Sequence, residues 1–165
     1  MNREDLIAAM ELTASRRLIP VTVPRWGTLH VKPPTVMEIE ANIAANAAAR
    51  AAGVAVLPDL IQAEAAATAA AAANPEDQVL AHAAAVAAAK VSLYSGKGDH
   101  ARAAARIMRN EHGKRLFDPA NEDDLVLLTM QPYSMLQAVL TAAEGDQEPD
   151  GGNSTSAASS SLTSQ

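Results

Sequence analysis

His30, His82, His100 and His112 share no i, i+4 spacing, and neither an HExxH pattern nor a His-rich tract accompanies them. A metal site built on one helix face therefore has no ligand pair to start from. Cysteine is absent, which removes disulfides, thiolate metal sites and thiol nucleophiles together and fits a reducing compartment. Gly96-Lys97-Gly98 has the look of a phosphate loop, but the positions that need a further glycine and a hydroxyl hold Val91 and Gly98. Paired carboxylates occur at Glu38 with Glu40 and at Glu122, Asp123 and Asp124. Acid–base catalysis needs such groups in a desolvated cleft with separated pKa values. These fall instead in the first turns of predicted helices, where a carboxylate favours the helix dipole. No Gly-x-Ser-x-Gly elbow supports a serine hydrolase. The sequence predicts no enzyme, no catalytic residue, no cofactor and no metal.

Recognition chemistry is better represented. Arg102, Arg106 and Arg109 fall on one side of a predicted helix, with Ala101, Ala105 and Met108 on another. The stripe reads as a solvated face, or as a docking face for an acidic surface such as Asp118 to Asp124 or a partner. Trp26, at a predicted hairpin turn, either packs down on a helix or projects as an interface anchor. Phe117, Tyr133, Leu136 and Leu140 complete the candidate partner-binding set. Too few aromatics interleave with the arginines for single-stranded nucleic-acid stacking.

The elements that must position these residues follow from composition and punctuation. The chain has 165 residues, 48% of them hydrophobic, yet 38 are Ala and only four are aromatic. A methyl group buries little area, so at roughly 25 cal/mol per Å² the core is expected to be thin and stability marginal. Formal charge runs +2, −5, +5 and −8 over residues 1–35, 36–89, 90–115 and 116–150, for a net −6. An acidic whole with alternating blocks suits contacts between segments or with a protein partner, and argues against general nucleic-acid binding. The N-terminus lacks an apolar h-region, and the Ala-rich stretches are broken at Asn74 to Asp77, so neither a secretory signal nor a membrane span is expected. The bulk reading is a soluble, intracellular, mainly helical protein.

Asn2 with Asp5 caps a short first helix whose apolar side is Leu6, Ile7 and Met10. Residues 18–32 form two extended runs around Pro24-Arg25-Trp26-Gly27, a β-hairpin that Pro20 and Pro24 confine to an edge. Thr35 and Glu38 form a capping box for a helix expected to stop at Gly53, with Val54 to Leu57 as a connector and Pro58 opening a second helix to Ala73. Asn74 is expected to cap the next helix, with Pro75 in its first turn and Val79, Val86 and Leu93 along one stripe. Asp99 caps a helix carrying the arginines. Asn110 to Phe117 is a tight Gly turn leading into a short extended piece, Asn121 starts a helix holding Leu125 and Leu128, and a last helix carries Tyr133, Leu136, Val139 and Leu140. Residues 146–165, acidic and then Gly/Ser/Thr-rich, are expected to be disordered. The fold class is thus mainly α: a small helical domain over 1–145 with an N-terminal β-hairpin and a disordered C-terminal tail.

Two segments together resemble a known family. Val21-Thr22-Val23-Pro24-Arg25-Trp26-Gly27-Thr28-Leu29-His30-Val31-Lys32-Pro33-Pro34-Thr35 precedes a Glu-rich helix, and Arg106-Ile107-Met108-Arg109-Asn110-Glu111-His112-Gly113-Lys114-Arg115-Leu116-Phe117-Asp118 precedes an acidic helix start. Their order resembles the tail assembly chaperones of long-tailed bacteriophages and prophages, which carry a VPEWG-type hairpin and a D-x-x-G-x-x-LF turn. Arg25 stands where that family often has an acid, and Asn110 stands in place of Asp. The matching blocks cover about residues 18–40 and 106–143.

The resemblance implies a non-enzymatic protein of the bacterial host cytoplasm, absent from the mature virion. It would bind the tape measure protein, keep it soluble and help recruit the major tail tube protein. Composition and charge add the expectation of no membrane and no nucleic acid as partner, and self-association is a further expectation. Adaptable Met side chains on Ala-rich helices suit a helix-in-groove holder. The alternative is a structural or adaptor protein retained as a minor virion component.

Overall fold

The computed structural model describes residues 2–5, 7 and 18–144. It is mainly helical, with a three-stranded antiparallel sheet of order β1-β2-β3. The reciprocal N-terminal cap is present: Asp5 N donates to Asn2 Oδ1 at 2.8 Å and Asn2 N to Asp5 Oδ2 at 3.2 Å. Leu6 and Met10, and the expectation for residues 146–165, lie outside the described residues.

β1 (Ile19–Val23) and β2 (Gly27–Val31) form the expected hairpin, with Val21 opposite Leu29 and Ile19 opposite Val31. Arg25 and Gly27 hold the left-handed φ values, 69° and 78°, that reverse the chain. Alternation buries Val23, Leu29 and Val31, while Thr22 and Thr28 meet on the exposed face. β1 is an edge strand, where Pro20 forfeits no interior ladder bond.

The capping box at Thr35 is complete: Glu38 N donates to Thr35 Oγ1, and Thr35 N donates to Glu38 Oε2. The helix it opens, α1 (Val36–Ala73), does not stop at Gly53. It continues for 38 residues through Gly53 and Pro58, so the expected connector and second helix are one element. Gly costs about 1 kcal/mol and Pro about 3 kcal/mol in a helix interior. Flanking alanines are the strongest helix formers, and Gly53 is buried against the next helix, so packing outweighs both breakers. By length and composition alone α1 is long and apolar enough to cross a membrane, against the expectation drawn from the break at Asn74 to Asp77, because the whole helix lies before that break. Its apolarity is mostly alanine, and Arg50, Asp59 and Glu64 interrupt it.

Asn74 is the C-cap of α1 rather than an N-cap. Its backbone N–H reaches Ala71 O and its amide Ala70 O. Residues 74–77 are used to reverse the chain, so α2 (Gln78–Tyr94) starts later, with Asp77 Oδ1 accepting from Val79 N and Leu80 N. α2 folds back along α1. The Val79/Val86/Leu93 stripe packs only at its C-terminal end: Leu93 is buried, Val86 half-buried and Val79 exposed.

α3 (Asp99–Ile107) leaves α2 through a 90° bend. Its N-cap is Gly98, not Asp99, whose carboxylate faces Arg50 and Arg102. The backbone turns extended at Met108, and β3 (Met108–Arg109) joins the sheet with Val31 opposite Met108 and His30 opposite Arg109. Asn110 Oδ1 then accepts from His112 N and Lys114 N, closing the turn at Gly113 and returning Arg115 beside Arg109. α4 (Glu122–Thr129), capped by Asn121 as expected, and α5 (Tyr133–Glu144) complete the chain.

The core gathers where the sheet, the end of α2 and the last three helices meet. Leu93, Met108, Leu128, Val23, Val31 and Val139 are its largest fully buried side chains. Ala89, Ala101, Ala104 and Ala105 fill much of the remainder, which keeps the helices close and the apolar area small.

Candidate functional site

The three arginines do not share a face. Helix α3 ends at Ile107, so Arg109 belongs to β3 and points according to sheet rather than helix geometry. Arg102 is only 5 % exposed; its Nη1 donates to Leu93 O at 3.1 Å and lies 3.8 Å from Asp99 Oδ1. Burial pulls its pKa below the usual arginine value, and Asp99 opposes that shift. Arg102 therefore ties α3 to the end of α2 from inside the molecule. The ion pair that reaches the acidic segment 118–124 comes from Lys90, whose Nζ is 2.8 Å from Glu122 Oε1. Tyr94 Oη donates to the other oxygen at 2.6 Å.

Arg106 and Arg109 line a cavity of about 410 Å³ together with Lys32, Arg115, Ile39 and Leu140. Four cations line this concavity together with two carboxylates, Glu38 and Glu144, and Lys32 Nζ lies 3.7 Å from Glu38 Oε1, so its formal balance is positive. Asn42 also lines it, and both Asn42 Oδ1 and Arg106 Nε are buried with no hydrogen-bond partner among the described residues. Such atoms cost free energy unless something satisfies them.

On the other side of Arg109, Trp26, Leu29, Met108, Leu116 and Phe117 line an open cleft of about 690 Å³. His30 lines it as well, with Nδ1 buried and unpartnered among the described residues. Trp26 comes from the hairpin turn and Phe117 from the far end of the 110–116 turn, so the β2–β3 pairing brings them together. Trp26 is half-buried against the core, a position between the two readings its sequence left open. A smaller cavity of about 160 Å³ lies beside Leu136 and Tyr133, whose ring meets His100 edge-on at 5.1 Å.

Of the sequence-selected residues, Arg106, Arg109 and Leu140 converge on the basic cavity. Trp26 and Phe117 converge on the aromatic cleft, Arg109 borders both, Tyr133 and Leu136 stand apart, and Arg102 is interior. Sequence reasoning missed Lys32, Asn42, Arg115 and His30. Lys32 and Arg115 adjoin the paired strands, a signal visible only once those strands are known to meet. No family model, curated protein or solved structure matches the chain.

Proposed function

We propose that this chain is a non-enzymatic chaperone of phage tail assembly, which binds the tape measure protein, keeps it soluble and helps recruit tail tube subunits in the host cytoplasm. One observation carries the reading. The two segments that resemble that family, separated by the whole of α1 and α2, lie side by side in one sheet, with His30 opposite Arg109 and Val31 opposite Met108. They form one cleft, walled by Trp26 and Leu29 from the first and Leu116 and Phe117 from the second. The substituted Asn110 keeps the role an acid would have there, because its side-chain oxygen accepts the two turn N–H groups.

A long helical partner presents apolar side chains at i, i+3, i+4 and i+7, and such a stripe fits an apolar cleft. Trp26 and Phe117 offer large amphipathic area for it, the type that dominates interface energetics. The adjoining cations of the basic cavity would engage acidic positions flanking the stripe.

The test is co-expression with a candidate tape measure protein, a long coiled-coil-rich chain from the same genome. The proposal expects that protein to become soluble only with this chain and to co-elute with it. Equal solubility alone, with no association, would remove the mechanism.

A further inference from the structure

The outer side of α1 carries an apolar stripe that none of the described residues covers. Val36, Ile43, Val54 and Ile61 are 72%, 63%, 76% and 50% exposed. They are spaced by seven, eleven and seven residues, each close to a whole number of turns at 3.6 residues per turn. All four therefore lie along one line of the helix, about 38 Å long at 1.5 Å per residue. β-branched side chains propagate a helix less well than Ala, so local helix stability gives no reason for them in an alanine-rich element. Exposed apolar side chains aligned along one face of a helix mark an interaction surface.

The spacing also indicates the occupant. Val36 with Ile61, and Ile43 with Val54, are centred on the same point, between Ala48 and Ala49. A two-fold interface requires that if residue i meets j, then j meets i. Two α1 helices laid antiparallel about that point satisfy the requirement with large apolar groups at both ends. Ala47 and Arg50 exchange about the same centre. Ala47 permits close approach, and Arg50 is drawn sideways into its ion pair with Asp99 and against the Gly96 turn. The middle of the stripe is thereby left to small side chains.

We propose that α1 is the self-association surface of this protein, pairing antiparallel with α1 of a second copy. Val36 packs on the partner subunit's Ile61, and Ile43 packs on the partner subunit's Val54. This does not rest on the chaperone reading, since neither the aromatic cleft nor the basic cation cluster takes part.

The absence of cysteine from the natural sequence makes the geometry directly testable. Ile43→Cys and Val54→Cys are prepared as separate full-length variants, mixed, equilibrated and oxidised. The expected result is a disulfide-linked dimer in the mixture and little in either variant alone. Ile43→Asp, at an exposed site, is expected to keep the wild-type helical circular dichroism while weakening the dimer about a hundredfold or more in sedimentation equilibrium. A wild-type chain that stays monomeric up to its solubility limit would overturn the proposal. So would efficient linkage of Ile43→Cys with itself, an unchanged dimer in Ile43→Asp, or a monomer that uses the stripe to bind phosphatidylcholine vesicles.

Discussion

The carbonyl oxygen of Tyr94 lies 2.8 Å from the point where a Cβ on Gly53 would stand, and Tyr94 Cβ is 3.2 Å from it. This contact is where the end of α2 closes on the middle of α1, and no side chain fits between them. An exposed helical Gly replaced by Ala gains about 1 kcal/mol from propensity. Here Gly53→Ala is expected to reverse that sign and destabilise by about 1–3 kcal/mol, the usual cost of overpacking. Urea denaturation of the two proteins measures it, and a more stable variant would mean that the helices separate freely.

A pH dependence is expected from the cluster that joins α2 to α4. The bonds from Lys90 and Tyr94 hold the Glu122 carboxyl below its ordinary pKa, while Glu122 raises the pKa values of Lys90 and Tyr94. A depressed carboxyl contributes stability above its unfolded pKa and loses it as pH falls through the folded value. The raised Lys90 and Tyr94 contribute below their unfolded values and lose it as pH rises through the folded ones. Wild type is therefore expected to weaken at both extremes, acid through Glu122 and alkali through the other two. Glu122→Gln is expected to flatten the acid limb. Partial solvent exposure keeps the effect small, and melting temperature across pH for both proteins measures it.

The legibility of the fold varied with how local its causes are. The Thr35–Glu38 capping box, the Asn121 cap and the hairpin about Arg25 and Trp26 rest on neighbours in sequence, and all three are present as read. Gly53 reads locally as a helix stop and Pro58 as a helix start, and a distant residue, Tyr94, and the surrounding alanines outweigh both. Asn74 has the composition of an N-cap, but the need to reverse a long helix moves the cap to Asp77. The pair Met108–Arg109 is too short to carry a strand period, and only its partner His30–Val31 makes it one. That hidden strand separates Arg109 from the helical stripe with Arg102 and Arg106, and it also builds the shared cleft.

Arg102 is expected to be a stability residue, in contrast to Arg106. Arg102→Ala removes the bond to Leu93 O and the packed stem of a buried side chain, at a cost of about 3 kcal/mol. Arg102→Met keeps the stem and discards the desolvated charge, so its cost is expected to be nearer about 1 kcal/mol. Chemical denaturation separates the two variants. Equal losses would place the whole effect in the guanidinium bond.

The aromatic cleft gives the sharpest test of how a partner would be held. Trp26 and Phe117 come from opposite ends of the paired strands and line the same concavity. Both rings are half-buried, packed against the core cluster on one side and lining the open cleft with Met108 on the other, so each stands within a partner's reach. Trp26→Ala and Phe117→Ala are therefore each expected to reduce co-purification of the co-expressed candidate tape measure protein at least tenfold, about 1.4 kcal/mol or more. Tyr133, exposed and set beside His100 in a separate small cavity, is the control. Tyr133→Ala is expected to leave capture unchanged. Thermal melts of all three variants accompany the pull-down, so that lost capture in a well-folded protein can be told from lost structure. Because both rings would cover the same partner residues, Trp26→Ala combined with Phe117→Ala is expected to cost less than the sum of the single losses. Fully additive losses would assign the two aromatics to separate contacts, and undiminished capture in the double variant would exclude the cleft as the holding surface.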